Sequence, residues 1–149
     1  MLFTKEYWLN CIDRIKRYIK TFIKWIICSI IIGTTCGAVG TAFHYSVEYV
    51  TKYRDSHSWI IYLLPLAGLV IIFLYRSCGL KHDKGTNLVI GSIRNSEYNV
   101  PFRMAPLIFI STAITHLFGG SAGREGAALQ LGGSLGQNLA RAFKMDSKD

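Results

Sequence analysis

The residues best suited to chemistry are Arg124 and Glu125, which stand side by side in a glycine-rich loop at residues 119–126. The loop follows an apolar run and precedes a second helical pattern. A charged side chain in hydrocarbon is costly, so intramembrane ionisable residues generally serve a function. Irregular backbone at that depth is tolerated only where it is buried in protein or lines a wet cavity. The loop therefore predicts a site for a small ion.

The ion expected there is an anion. A helix that begins at this loop would turn the unpaired amides around Gly123 and Gly126 toward it. The hydroxyl of Thr86 is a candidate direct ligand from a second helix start, and converging broken helices are a recurrent transporter device. Glu125 is itself anionic, so it can fill the site when the ion is absent and leave when protonated, which predicts a gate and a proton route. The alternative is a first-turn glutamate paired with Arg124 at the surface.

These residues must be positioned by membrane helices. Half of the 149 residues are hydrophobic, and they are concentrated in three blocks, at residues 25–47, 59–75 and 98–118. A helix needs about 20 apolar residues to cross a bilayer. Each block is long enough or nearly so. The sequence therefore predicts an all-α, multi-pass integral membrane protein.

The net charge of +8 is explained by topology. Six basic residues crowd before the first block: Lys5, Arg14, Lys16, Arg17, Lys20 and Lys24. The positive-inside rule places such a cluster in the cytoplasm, and a second basic cluster at residues 76–84 fits two helices later. A nucleic-acid partner would need a basic soluble face, and none is indicated. We expect a cytoplasmic N-terminus, most simply in the cell membrane, with the bilayer as partner.

The N-terminal segment alternates apolar and basic residues at helical spacing. We predict a cytoplasmic amphipathic helix over residues 1–24 at the interface, followed by a membrane domain over residues 25–149. The alternative is that this segment simply extends the first membrane helix. In that helix Gly33 and Gly37 have the spacing that lets a second helix approach closely, although incidental glycines would look the same.

Prolines, glycines and one short apolar segment give further predictions about the helices. Pro65 and Gly68 predict a kink in the second span, and Pro101 is placed in the first turn of the third. Gly85, Thr86 and Asn87 open the segment 88–93, which is too short to span and predicts a re-entrant helix, with a plain cytoplasmic loop as the alternative.

Several other functions are not supported. The glycine loop lacks the lysine and hydroxyl of a phosphate-binding P-loop, and no strand precedes it. The cysteines, Cys11, Cys28, Cys36 and Cys78, have no paired spacing, which favours free thiols over disulfides or a metal site. His116 is interpreted as a hydrogen-bonded packing residue, with proton relay as the alternative. We expect no enzyme activity, no cofactor and no metal.

The stretch GGSAGREGAALQLGGSLGQ at residues 119–137 closely resembles the second signature loop and following helix of CLC chloride channels and chloride/proton antiporters, whose pattern there is GREGP. GTNLV at residues 85–89 stands where that family has GSGIP, and the first glycine-rich span and the N-terminal helix also match. The resemblance covers essentially the whole chain and implies a CLC-type helical bundle with broken, re-entrant helices.

The resemblance also assigns roles. Glu125 matches the gating glutamate, which competes with the anion and exchanges protons. Gly123, Arg124 and Gly126 match the loop around it. Thr86, between Gly85 and Asn87 of the first filter loop, matches the serine whose hydroxyl coordinates the central anion. Chloride is the implied ion, with protons as a second substrate and a homodimer as the complete assembly.

Departures from the pattern keep the anion and the function open. Ala127 replaces the proline after GREG, and residues 87–89 read Asn-Leu-Val in place of Gly-Ile-Pro. These changes resemble divergent bacterial branches, including a fluoride-exporting one. Complete members are several-fold longer, so we expect an N-terminal fragment ending after about the sixth helix. Two further hypotheses are a short non-transporting helical membrane subunit and a membrane-anchored phosphate- or nucleotide-binding module.

Overall fold

The computed structural model describes residues 5–80, 85–94 and 100–143, and the regular structure in these ranges is helical throughout. The α-helices there are α1 (Lys5–Ser56), α2 (Leu64–Ser77), α3 (Thr86–Arg94), α4 (Met104–Leu117) and α5 (Arg124–Ala142), with a 3₁₀ helix (Ser58–Leu63) between α1 and α2. The predicted all-α class is confirmed. The predicted basic connector at residues 81–84 and the polar ending at residues 144–149 lie outside the described residues.

α1 is one continuous helix of 52 residues. At 1.5 Å per residue it is about 78 Å long, more than twice the roughly 30 Å of a bilayer's hydrocarbon core. α1 has no break near residue 24, so its N-terminal segment is continuous with the apolar stretch that follows. The division there into an amphipathic helix at the cytoplasmic interface and a membrane domain stays a prediction. Side chains 12–27 are all exposed, whereas Phe43 and Val47 are buried.

The second apolar block begins as the 3₁₀ helix and becomes α2 at Leu64, with Pro65 in the first turn. Proline suits that turn because an N–H there would have no acceptor within the helix. Where the sequence predicted a kink inside one helix, the chain changes from one helix type to another, and α2 continues through Gly68. α1 and the stretch Ser58–Ser77 are each long and apolar enough to cross a membrane.

The third block forms a shorter helix than its apolar length suggests. α4 has 14 residues, or about 21 Å. Pro101 precedes it in a turn in which the Met104 N–H donates to the Pro101 carbonyl at 3.0 Å. The prediction that Pro101 occupies the first turn of the helix is therefore wrong, because two residues, Phe102 and Arg103, lie between it and the start of α4.

α4 lies at the centre of the molecule and packs against α1, α2 and α5. The ring of Phe43 on α1 meets that of Phe109 on α4 edge to face, with centroids 5.5 Å apart. The main buried cluster joins α1, α4 and α5 and comprises Phe43, Val47, Val100, Met104, Ile108 and Ala127.

Polar side chains of α5 hold the segment that leads into α4. The Val100 N–H donates to Gln137 Oε1 at 2.7 Å, and Asn138 Nδ2 donates to the Val100 carbonyl at 3.1 Å. Ser134 Oγ donates to the Pro101 carbonyl at 3.0 Å. Buried backbone groups need such partners, so these residues fix the start of α4 against α5 and thereby position the glycine loop that joins them.

α3 confirms the predicted short helix and excludes the plain loop, and it packs against α5. Its re-entrant placement stays a prediction. The close helix approach expected at Gly33 and Gly37 is not present among the described residues, since a Cβ added at either would meet nothing within 4 Å. All four cysteines are free thiols.

Candidate functional site

The glycine loop reverses the chain after α4 by a tight helix ending. Gly119 has φ +83°. Its N–H donates to the His116 carbonyl at 3.2 Å, and the Gly120 N–H donates to the Thr115 carbonyl at 2.8 Å. These two bonds form a Schellman motif, in which a glycine with positive φ ends the helix. A Cβ at Gly120 would lie 2.6 Å from Thr115 Cγ2, so the loop turns back directly over the end of α4.

α5 then begins at Arg124, with Gly123 in an extended conformation as the N-cap and no side-chain cap. The Ala127 N–H donates to the Gly123 carbonyl at 3.3 Å. The amides of the three residues before Ala127 have no acceptor within the helix, so the helix itself leaves them free to bind a ligand. The first turn of α5 therefore has the backbone arrangement expected for an anion site.

Glu125 lies in this first turn, and both it and Arg124 are exposed. The two side chains form no ion pair with each other; the ion pairs seen among the described residues lie within α1 and involve Glu48 and Asp55. The surface pair expected as the alternative role of Glu125 therefore has no contact in its favour. A carboxylate at a helix N-terminus interacts favourably with the helix dipole, and Glu125 is placed to do so.

The start of α3 lies against the first turns of α5. Gly85 has φ +57°, and the Leu88 N–H donates to its carbonyl at 3.0 Å. Gln130 Nε2 on α5 donates to Thr86 Oγ1 at 3.2 Å. A Cβ on Gly126 would lie 3.5 Å from the same hydroxyl. The structure thus brings together Thr86, Gly85 and Gly126, while Asn87 is exposed.

The sequence reasoning missed two residues of α5. Gln130 contacts Thr86, and Gly133 lets α3 approach, since a Cβ there would lie 2.7 Å from Val89 Cγ1. A signal was present, because Gly126, Gln130 and Gly133 stand at the i, i+4 and i+7 positions of one helix face. We name this contact the α3–α5 junction; it lies between Gly85 with the first turn of α3, residues 85–89, and residues 126–133 of α5.

His116 is buried in the last turn of α4, with 8% of its surface exposed. The backbone of Ala122 lies beside its ring, and Arg124 and Arg54 are close enough to act on it electrostatically. Its Nε2 has no hydrogen-bond partner. The burial of His116 agrees with the packing interpretation, and the proton-relay alternative stays a prediction.

The comparisons with known proteins agree with one another. The profile of a family described as voltage gated chloride channel matches residues 67–149. The chain is 37% identical over 126 residues to the "Chloride/fluoride channel protein" of Pseudomonas syringae pv. tomato, covering 85% of this chain and 28% of that protein. It is 28% identical over 153 residues to the "H(+)/Cl(-) exchange transporter ClcA" of Salmonella paratyphi B, and the match covers 92% of this chain and 32% of that protein.

A third relative is an uncharacterized protein of Methanocaldococcus jannaschii, 26% identical over 145 residues, with 95% of this chain and 34% of that protein covered. The chain thus spans about a third of the length of these relatives, between 28% and 34%. No solved structure matches the chain significantly.

Proposed function

The chain belongs to the family of voltage-gated chloride channels, and we propose that the protein containing it carries small anions across a membrane. Because the chain spans only a third or so of its relatives' length, the activity is proposed for a protein of that length, as a channel or as an anion/proton antiporter. Transport of this kind makes and breaks no covalent bond, so no enzyme activity is proposed. The observation that carries the proposal is the Thr86 hydroxyl beside the first turn of α5.

Anion binding at this place follows from the donors that converge there. The Thr86 hydroxyl can donate one hydrogen bond. The amides of Arg124, Glu125 and Gly126 have no acceptor within α5, and the α5 dipole adds roughly half a positive charge. An anion held in this way needs no full positive charge beside it, so it binds weakly enough to leave. That combination suits conduction or exchange, since a permeant ion must enter and leave the site.

Glu125 is proposed as the gate. Its carboxylate belongs to the same helix turn that would bind the anion, so the two compete for the same donors. Protonation removes the negative charge and with it the attraction to the helix dipole, which frees the site for the ion. The same step moves a proton, which makes protons the proposed second substrate.

The ion itself is proposed to be chloride, with fluoride as a second candidate. Fluoride is favoured by one observation: the relative at 37% identity is named a chloride/fluoride channel protein, and the exchange transporter is 28% identical. Fluoride is the smaller ion and the stronger hydrogen-bond acceptor, so it would gain more from the Thr86 hydroxyl.

The membrane setting is proposed from charge and length. Two stretches can span a bilayer, and the basic N-terminal half of α1 favours a cytoplasmic N-terminus. We propose a multi-pass protein of the cell membrane that works as a homodimer when complete.

The test is anion flux by the complete protein in liposomes, followed with chloride- and fluoride-selective electrodes. The proposal expects efflux of at least one of these ions above that of protein-free liposomes, with slower or less selective efflux for Thr86→Ala. A stable complex with other membrane proteins and no anion flux would contradict it and favour a non-transporting helical subunit.

A further inference from the structure

Gln130 is the one side chain seen to hydrogen-bond Thr86 within the described residues. It reaches across the α3–α5 junction, and a Cβ on Gly85 would lie 3.8 Å from its Nε2. Its backbone is held nearby by the close contact of Gly133 with Val89. The Gln130 side-chain amide is therefore positioned next to the start of α3, between Gly85 and the packed Gly133–Val89 contact.

We propose that Gln130 is a positioning residue that directs the Thr86 hydroxyl toward the anion and so sets anion selectivity. A threonine hydroxyl has one proton to donate and two lone pairs that accept. Because Gln130 Nε2 donates to Thr86 Oγ1, it occupies one lone pair and leaves the Thr86 proton for another acceptor. The anion of the proposed function is that acceptor, so this inference rests on the proposed function.

Removal of the amide donor should therefore weaken anion binding without removing the ligand itself. In Gln130→Met the side chain keeps about the same length but loses the Nε2 donor, so the Thr86 hydroxyl is free to turn. We expect anion affinity to fall about three- to tenfold, the worth of one neutral hydrogen bond. In Gln130→Glu a carboxylate accepts the Thr86 proton and competes with the anion, so the loss should exceed that of Gln130→Met.

The experiment is a double-mutant cycle in the complete protein, with Gln130→Met, Thr86→Ala and both together. Chloride and fluoride binding is measured by titration calorimetry, and the ratio of the two fluxes is measured in liposomes. Size-exclusion profiles show that each variant folds, and Gln130→Leu serves as a second variant if Gln130→Met does not. We expect the effect of Gln130→Met to vanish when Thr86 is already alanine.

Two outcomes overturn the inference, and they differ from failure of the proposed function. If Thr86→Ala changes affinity while Gln130→Met does not, Gln130 has no positioning role although the site stands. If Gln130→Met acts equally with and without the Thr86 hydroxyl, it acts by another route. If Thr86→Ala leaves binding unchanged in a protein that transports, the proposed site is wrong and this inference falls with it.

A second and independent inference concerns the exposed half of α1. Arg14, Arg17, Tyr18 and Thr21 line a polar groove along this helix. The next groove shares Tyr18 and Thr21 and continues over Phe22 and Trp25, where its lining is apolar. Tyr18 and Phe22 are 69% and 66% exposed. A charged groove thus passes into an apolar one along one side of the helix.

We propose that this side of α1 binds an anionic phospholipid. Its phosphate would lie between the guanidinium groups of Arg14 and Arg17, which bind phosphate in a fixed fork geometry, with the two hydroxyls as further donors. One acyl chain would follow Phe22 and Trp25. An adjacent groove is lined by Asp13 and Lys16 together with both arginines, so the net charge of these side chains is positive. Basic residues beside a membrane helix attract anionic lipid by about 1 kcal/mol each.

The matched comparison uses two pairs of basic residues with the same charge. Arg14→Gln with Arg17→Gln removes the proposed phosphate ligands, whereas Lys20→Gln with Lys24→Gln removes equal charge from α1 residues that line none of these grooves. The complete protein is incorporated in nanodiscs of phosphatidylcholine with or without phosphatidylglycerol, and bound lipid is counted by native mass spectrometry. We expect the arginine pair to lose retained phosphatidylglycerol at least threefold more than the lysine pair.

Equal loss in the two pairs would overturn the proposal, because charge alone would then account for binding. Displacement of the lipid by millimolar inorganic phosphate would also overturn it, since a free phosphate would then suffice as ligand. Retention of phosphatidylcholine as strongly as phosphatidylglycerol would show that the headgroup charge is not recognised, with the same result.

Discussion

The α3–α5 junction and the N-terminal half of α1 are both helical, yet they are held by different surroundings. At the junction, side chains and backbone of the same chain meet, as in the 3.2 Å bond from Gln130 to Thr86. In α1, side chains 12–27 are all exposed, so packing within the described chain does not hold them. The geometry of the first region is therefore set by the chain itself, which is what the proposed ion site requires, whereas the second region leaves its side chains free for the proposed lipid contact.

The largest expected effect comes from removing the proposed gate. Glu125→Ala in the complete protein should abolish proton movement coupled to chloride and make flux insensitive to pH, because no carboxylate is left to compete with the anion. Proton uptake driven by a chloride gradient in liposomes measures this. Glu48→Ala is the control, since Glu48 bonds Lys52 on α1 and should keep coupling. Unchanged coupling in Glu125→Ala would remove this residue from the gate.

The two halves of α1 can be compared directly with one residue type. Phe43 is 5% exposed and contacts Phe109, while Phe22 is 66% exposed. Phe43→Ala should lower the free energy of unfolding by about 3 kcal/mol, the low end for a buried phenylalanine. Phe22→Ala should change it by no more than about 0.5 kcal/mol. Thermal denaturation in detergent measures both, and equal losses would mean that the exposed half of α1 is packed.

Neighbouring glycines test the packing of the junction. Gly133→Ala places a Cβ 2.7 Å from Val89 Cγ1, whereas a Cβ on Gly132 meets nothing within 4 Å. The first change should cost about 1–3 kcal/mol by overpacking. The second should be neutral or stabilising by up to about 1 kcal/mol, since alanine favours a helix over glycine. Thermal denaturation again measures both. Val89→Ala should restore part of the loss in Gly133→Ala; failure to do so would place the strain elsewhere.

A smaller effect is expected at the proposed ligand itself. Thr86→Ala should weaken anion binding by about tenfold, the low end for one hydrogen bond to a charged group, and Thr86→Ser should restore it. Thr35→Ala is the matched control, because Thr35 only donates to the Ile31 carbonyl on the exposed side of α1. Titration calorimetry measures the affinities. Equal affinity in Thr86→Ala and the unchanged protein would contradict the assignment.

Local signals in the sequence predicted where the site helices begin. Glycine, threonine and asparagine at residues 85–87 indicated a helix start, and α3 begins at Thr86. The glycine loop indicated the next, and α5 begins at Arg124. The positions of these two helix starts could be predicted because they depend on residues close in sequence: capping and the conformational freedom of glycine act within a single turn.

Contacts between helices were harder to predict. The pairing of Gln130 with Thr86 joins residues 44 apart, and it depends on how α5 is rotated about its axis. Close approach was expected at Gly33 and Gly37 and is found at Gly133. Small-residue spacing shows where a helix can approach, but the partner surface decides where it does. The length of α1 was also open, since periodicity continues whether a helix lies in lipid or in water.

The central claim is that Thr86 and the first turn of α5 hold one anion between them. A crystal of the complete protein grown with bromide would locate that anion by its anomalous scattering. We expect a bromide peak within hydrogen-bond reach of Thr86 Oγ1 and of the amides of Glu125 and Gly126. A second crystal, of the Glu125→Ala variant, removes the carboxylate that competes with the ion. If bromide binds elsewhere and is absent from the α3–α5 junction even in this variant, the claim is contradicted.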